Sequence, residues 1–410
     1  DSAVRDLGGV ASGAIVMPTN FYGASSGPTL TLGSAQGLGE DNIAYPVVSY
    51  NEFRDKVLVV YGFYFARTSP NDRYLYCKVG TVSSGEFITY GSETQIWGFN
   101  SSPAQDIAIT YRPNDEVNIV FWKETSNGGR GLIAGVTINS SGVASRGATA
   151  SFDAGPNSQI TIFGPNAAFF DPDTNFSSCV YRNGSNSSYG EIQICNASNS
   201  SIGGKARVVF NSGSTEDASA AYDTNVDKFL VCYTNASNSS KGTAIVGTMT
   251  GGDPAASFGT AVVYSDTSTF NNTVVFDGTS NKMVVIYEAG NDVRARVGTI
   301  SGTSVSFGTE VTVDTNYITG FSMSASWNPD EGVIIVSWED RESSPNNGMC
   351  VIGTVSGTDI SFSGLRVLEA GNITQTSQVY DPDTDKTIIS YLDVDATNTQ
   401  KAKLATVVPA

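Results

Sequence analysis

The sequence predicts an all-β chain: a seven-bladed β-propeller of four-stranded antiparallel blades. Three observations predict it. Seven aromatic pairs keep a spacing of eleven residues: Tyr50/Tyr61, Tyr111/Trp122, Phe170/Tyr181, Tyr222/Tyr233, Phe276/Tyr287, Trp327/Trp338 and Tyr380/Tyr391. A glycine recurs in the segment that follows each of the first six pairs, at Gly91, Gly147, Gly204, Gly259, Gly308 and Gly364. The seventh unit runs out after three strands, and the missing fourth sits near the N-terminus as "PTLTLGSAQGL", with Gly33 in register.

The unit is clearest over 273–313. "TVVF", "MVVIY", "VRARVGTI" and "SVSFGTEVTV" read as four strands, with Gly, Asn, Asp and Ser turns between them. The first two strands form a hairpin, with Lys56, Lys228, Lys282 and Lys386 six residues after the first aromatic. Runs such as "VLVVY", "FLVCY" and "VIIVSW" are continuously apolar, as expected of strands covered on both faces. All fourteen aromatics are expected to fill the wedges between blades. The outer-strand glycine marks a bulge or a close backbone approach. Repeats of this length arranged radially make a propeller. Pairing of 27–40 with the last unit would close it. The domain reading is therefore an N-terminal arm or attachment segment at 1–26 and a propeller at 27–410.

Composition excludes several chemistries. The 410 residues hold 40 acids, 23 bases and no histidine, a formal net charge of −17. Histidine-dependent triads, His-ligated zinc and histidine pH switches are absent. A basic face for nucleic acid is not expected. No apolar run is long enough to span a membrane as a helix. Cys77, Cys179, Cys195, Cys232 and Cys350 all fall in apolar runs without metal-type spacing, so they read as buried hydrophobes. No cofactor is expected. The chain starts at Asp1 without a methionine, which reads as processing or as part of a longer product.

The segments "AAYDTNVDKFLVCYTNASNSSKGTAIVGTM" (220–249), "VVFDGTSNKMVVIYEAGNDVRARVGTISGTSVSFGTEV" (274–311) and "GMCVIGTVSGTDISFSG" (348–364) resemble a repeat of tail-fibre-like virion structural proteins of marine tailed phages, of the cyanophage type. The likeness is close over about 220–400 and weaker over 41–210. It implies a non-enzymatic, extracellular virion component that contacts the host. The implied partners are other virion proteins, reached through the N-terminal arm, host surface polysaccharide or protein, and a further copy of the chain. It brings no catalytic residues.

Recognition is expected on the loops after the second strands, since loops on rigid scaffolds carry function. Tyr64, Phe65, Arg67 and Arg73 make an adhesive cluster on the first such loop, and Arg130, Arg182 and Arg341 a basic rim suited to acidic polysaccharide. Asp381, Asp383 and Asp385 alternate like a calcium loop, but the glycine and distal glutamate of that motif are missing, and an Asp-Pro turn is the simpler account. Two other functions compete. One is a polysaccharide-processing propeller enzyme, with Glu288, Glu339, Asp340 and Asp393 as candidate acids at the channel mouth. The other is a secreted glycan-binding protein whose Asn-x-Ser/Thr sites, such as Asn100, Asn139, Asn183, Asn186, Asn196, Asn235 and Asn372, carry glycans.

Overall fold

The computed structural model describes residues 3–4, 16–17, 27–63, 74–83, 87–98, 104–125, 128–152, 159–198, 201–252, 255–315, 323–341 and 345–410. Among them the regular structure is antiparallel strand, with three 3-10 turns at Pro113–Asp115, Pro165–Ala167 and Ala236–Asn238. The candidate arm at 1–26 falls almost wholly outside the described residues, apart from a short pairing of Ala3–Val4 with Val16–Met17.

The chain lays down one four-stranded antiparallel sheet after another. Their hairpins begin with the first strands Ile43–Asn51, Ala104–Arg112, Ala168–Asp171, the end of Ser201–Asp223, the end of Val262–Asp277, Met323–Asn328 and Ile373–Asp381. These are numbered sheets 1 to 7 below. Two strands are long enough to serve twice. Ser201–Asp223 is the outer strand of sheet 3 and then the first strand of sheet 4, and Val262–Asp277 does the same for sheets 4 and 5.

The hairpin turn explains the eleven-residue spacing. In the first sheet Asn51 pairs with Lys56 across four turn residues, and the last of these, Asp55, is left-handed at φ 51°. The same position is left-handed at Glu116, Asn175, Asp227, Asn281, Gly332 and Asp385. A turn of fixed length and fixed hand locks the register of the two strands it joins. Asp or Asn at the start stabilises it. The Asp277 carboxylate accepts from the Thr279 amide at 2.9 Å and the Ser280 hydroxyl at 2.8 Å.

The core lies between sheets. One cluster joins Val60 and Leu58 of sheet 1 to Trp122 and Val136 of sheet 2; another joins Ile286 and Val284 of sheet 5 to Trp338 and Val351 of sheet 6. The joint of the two chain ends has the same construction, with Ile388, Leu392 and Leu404 packing on Val57, Val59 and Tyr61. Each sheet is thus covered on both faces, which is why its middle strands carry no polar alternation.

The strand near the N-terminus completes sheet 7. Thr29–Leu32 pairs with Ala405–Val408, Gln36–Gly37 pairs with Lys401–Ala402, and the Gly33 amide donates to the Leu404 carbonyl at 2.9 Å. Gly91, Gly259 and Gly308 fall between strand segments, whereas Gly147, Gly204 and Gly364 lie within strands at register shifts. Gly259 and Gly308 seat the inter-strand turn of the next sheet, so that a Cβ there would lie 1.8 Å from the Thr303 carbonyl and 1.9 Å from that of Thr358. No side chain fits such an approach. All five cysteines are buried and free, and burial pushes the Cys77, Cys195 and Cys350 thiols up to about 12. No helix among the described residues is long and apolar enough to cross a membrane.

Candidate functional site

Contacts between first strands run from each sheet to the next and return from sheet 7 to sheet 1. Beside them lies a cavity of about 600 Å³ at the hairpin-turn end, lined by residues of these first strands and their turns. The first-strand aromatics stand here, which corrects the expectation that all fourteen fill wedges. The second-strand partners do so: Tyr61, Trp122, Tyr181, Tyr287, Trp338 and Tyr391 are fully buried, and Tyr233 nearly so. Tyr111, Phe170, Phe276 and Trp327 are only half-buried. First strands border the cavity, so a side chain near their turn reaches along its wall to the preceding sheet. The Tyr111 hydroxyl accepts from the Phe53 amide at 3.2 Å, and the Trp327 indole donates to the Thr279 hydroxyl at 3.3 Å. The Tyr222 and Tyr380 hydroxyls donate to Asp173 at 2.8 Å and Asp330 at 2.6 Å. This end is a belt of inter-sheet staples.

The three acids of the possible calcium loop belong to it. Asp381 accepts from the Asp383 amide at 3.0 Å and the Thr384 hydroxyl at 2.7 Å, while Asp385 accepts from Tyr380. They build an Asx turn, and no cluster of three or more metal-type ligands occurs among the described residues.

The opposite end, where the second strands finish, is built differently. Five of the seven first strands carry a bulge there, with register shifts at Ala44/Val47, Gln105/Ala108, Glu216/Ser219, Phe270/Thr273 and Thr374/Ser377. The bulged residues Tyr45, Asp106, Asp217, Asn271 and Gln375 are all left-handed. A bulge re-aims a side chain out of the sheet's alternation. These side chains meet the neighbouring sheet: the Gln375 carbonyl oxygen accepts from the Tyr45 amide at 2.8 Å, and the Asn271 amide donates to Asp217.

Between sheets 4 and 5 this arrangement concentrates ionisable groups. Asn271 donates to Asp217 through its backbone and to Glu288 through its side chain, at 3.0 Å. Glu288 is 5% exposed; burial, helped by the Asp217 charge, pushes its carboxyl up to about 7. Burial, helped by Glu216, pushes Asp217 up to about 6. Phe270, the cross-strand partner of Glu288, is 50% exposed. Directly opposed residues share one face of a sheet, so an open aromatic ring lies on the same face as Glu288, beside the pair of acids whose carboxyls burial raises.

The other candidate acids are committed. Glu339 accepts from Arg341 at 2.6 Å and from Asn346 at 3.1 Å, Asp393 takes the Lys401 ammonium, and Asp340 is buried in the ladder opposite Asn347. The predicted basic rim is also neutralised. Arg130 pairs with Glu124, Arg182 with Glu216 and Arg341 with Glu339. Tyr64, Phe65, Arg67, Arg73 and Asn100 lie outside the described residues. Asn183, one of the glycosylation-type sites, is buried, and its amide donates to Glu191 at 3.0 Å.

Sequence reasoning reached Glu288 and missed Phe270, Asp217 and Asn271. A signal existed: each described bulge residue stands five positions before its first-strand aromatic, and all five are polar or carry a hydroxyl.

No family model and no curated protein matches the chain, so the virion-repeat resemblance rests on its residues alone. Solved structures do match. The BP39L lectin from Burkholderia pseudomallei has a TM-score of 0.62 at 12% identity, covering 87% of this chain and 94% of that one. Sqt1 from Chaetomium thermophilum has 0.53 at 10%, covering 88% and 85%. The NanB sialidase from Streptococcus pneumoniae has 0.51 at 10%, covering 91% and 69%. Likeness at this identity shows the fold: antiparallel sheets of the β-propeller kind. It also corrects the expectation of a non-enzymatic chain, because a sialidase is an enzyme and shares that fold.

Proposed function

We propose that the chain is a seven-bladed β-propeller, closed through its N-terminal strand, that recognises neutral glycans between blades 4 and 5 at the loop end of its axis. One observation carries this reading: half-exposed Phe270 is opposed to Glu288 in the ladder and adjoins Asn271, which bonds both Glu288 and Asp217. A sugar ring offers an apolar face and equatorial hydroxyls, and an aromatic surface edged by amide and carboxyl groups matches both. Lectin and sialidase neighbours are consistent with glycan recognition.

The preference for neutral sugars follows from charge. Lys123, Arg130, Arg182 and Arg341 are ion-paired with Asp106, Glu124, Glu216 and Glu339, and the chain carries a net charge of −17. Such a field disfavours anionic ligands. A glycan microarray carrying neutral, sialylated and sulfated oligosaccharides tests it. Binding to neutral spots that disappears in Phe270→Ala supports the reading. Binding confined to anionic spots contradicts it.

A further inference from the structure

We propose, resting on that reading, that the site also hydrolyses the neutral glycosidic bond it binds, with Glu288 as proton donor and Asp217 as the base that activates water.

The geometry supplies three requirements. First, two carboxyls face one site from different strands: Asp217 from the bulge of sheet 4 and Glu288 from the end of the second strand of sheet 5. Second, they are held apart by one residue. Asn271 gives its backbone N–H to Asp217 and its Nδ2–H to the Glu288 Oε2. Both carboxyls are thus bonded to Asn271 and not to each other, which keeps them as a separate acid and base, as direct displacement at an anomeric carbon needs. This bonding also leaves Oε1 of Glu288 as the position for a transferable proton. Third, Phe270 opposes Glu288 in the ladder, which puts a ring-stacking surface beside the donor.

The step balances without a cofactor. Glu288 gives its proton to the departing glycosidic oxygen while the bond from that oxygen to the anomeric carbon breaks. The water oxygen bonds to the anomeric carbon, and its proton passes to Asp217. Proton exchange with solvent then restores both acids. Their environments set these roles. Glu288 faces Asn271 and Asp217, with the Arg341 charge nearby, and is pushed up to about 7. Asp217 faces Glu216, Arg182 and the Asn271 N–H, and is pushed up to about 6. Between those values the donor keeps its proton and the base has lost its own.

The test uses the intact chain and a panel of 4-methylumbelliferyl α- and β-glycosides of glucose, galactose, mannose, fucose and N-acetylglucosamine. Calorimetry on the matching methyl glycosides runs in parallel. Expected is release of methylumbelliferone from at least one glycoside, with kcat/KM rising through a limb near pH 6 and falling through one near pH 7. Glu288→Gln and Asp217→Asn should each lower kcat at least about 100-fold. Asn271→Asp, which keeps the backbone donor, should move the pH limbs, a change that a purely structural role would not produce. Binding without release from any member overturns the hydrolytic proposal and leaves the recognition reading standing. Absence of binding to every methyl glycoside overturns the recognition reading as well. Release that survives both acid variants overturns the assignment of roles.

Discussion

At the turn end of the axis, Tyr111, Tyr222, Trp327 and Tyr380 each engage their polar atom on the preceding sheet. At the loop end the repeat instead presents Asp106, Asp217, Asn271 and Gln375 on left-handed bulges. Both ends belong to the same first strands, about five residues apart. The turn end repeats one kind of contact from sheet to sheet, and repetition of that kind stabilises. The loop end repeats a backbone conformation but varies the side chain, and variation on a fixed scaffold is what allows one position to become a site. The difference teaches that one strand can carry its inter-sheet staples at one end and a variable polar position at the other.

This contrast can be broken by substitution. Tyr222→Ala removes a ring stacked on Phe169 at a centroid distance of 6.5 Å together with the bond to Asp173. It should cost about 3 kcal/mol in urea unfolding and leave glycan binding unchanged. Asp277→Ala loses the carboxylate that organises its hairpin turn and should cost about 1–2 kcal/mol, again without an effect on binding. Phe270→Ala at the loop end should do the reverse. Its half-exposed ring contributes within about 0.5 kcal/mol to stability, whereas glycan affinity should fall about tenfold. Loss of binding in the turn-end variants, or loss of stability in Phe270→Ala, would erase the distinction.

The sharpest use of pH concerns Glu288. Its carboxyl is raised in the folded chain, so the fold favours the protonated form. Its contribution to stability is therefore highest below the ordinary glutamate range, and declines as pH rises from about 4.5 to about 7. Asp217 acts in the same direction up to about 6. Thermal melts at pH 5 and pH 8 should show Glu288→Gln gaining on the natural chain at the higher pH. An equal difference at both values would mean that Glu288 is not held protonated.

Much of this fold was legible in the residues, for a physical reason. The hairpin turn has a fixed length and hand, so Tyr61, Trp122 and the other second-strand aromatics recur at constant distance and all face the inter-sheet core. Gly259 and Gly308 were legible because only glycine fits where the next sheet's turn approaches. The direction of the first-strand aromatics was not, because spacing gives a position along a strand and not which wall that strand borders. The site was legible only at Glu288. The bulge that brings Asp217 and Asn271 to it is a backbone event shared by Tyr, Asp, Asn and Gln, and its trace in the residues is only a polar or hydroxyl-bearing side chain five positions before the first-strand aromatic.

The central claim is that the glycan sits at the loop end between sheets 4 and 5. A crystal structure of the chain soaked with a neutral disaccharide tests it most directly. The account predicts sugar density against the Phe270 ring, within hydrogen-bond reach of Asp217 and Glu288. Density in the aromatic-lined cavity at the turn end, with the Phe270 surface empty, would contradict it.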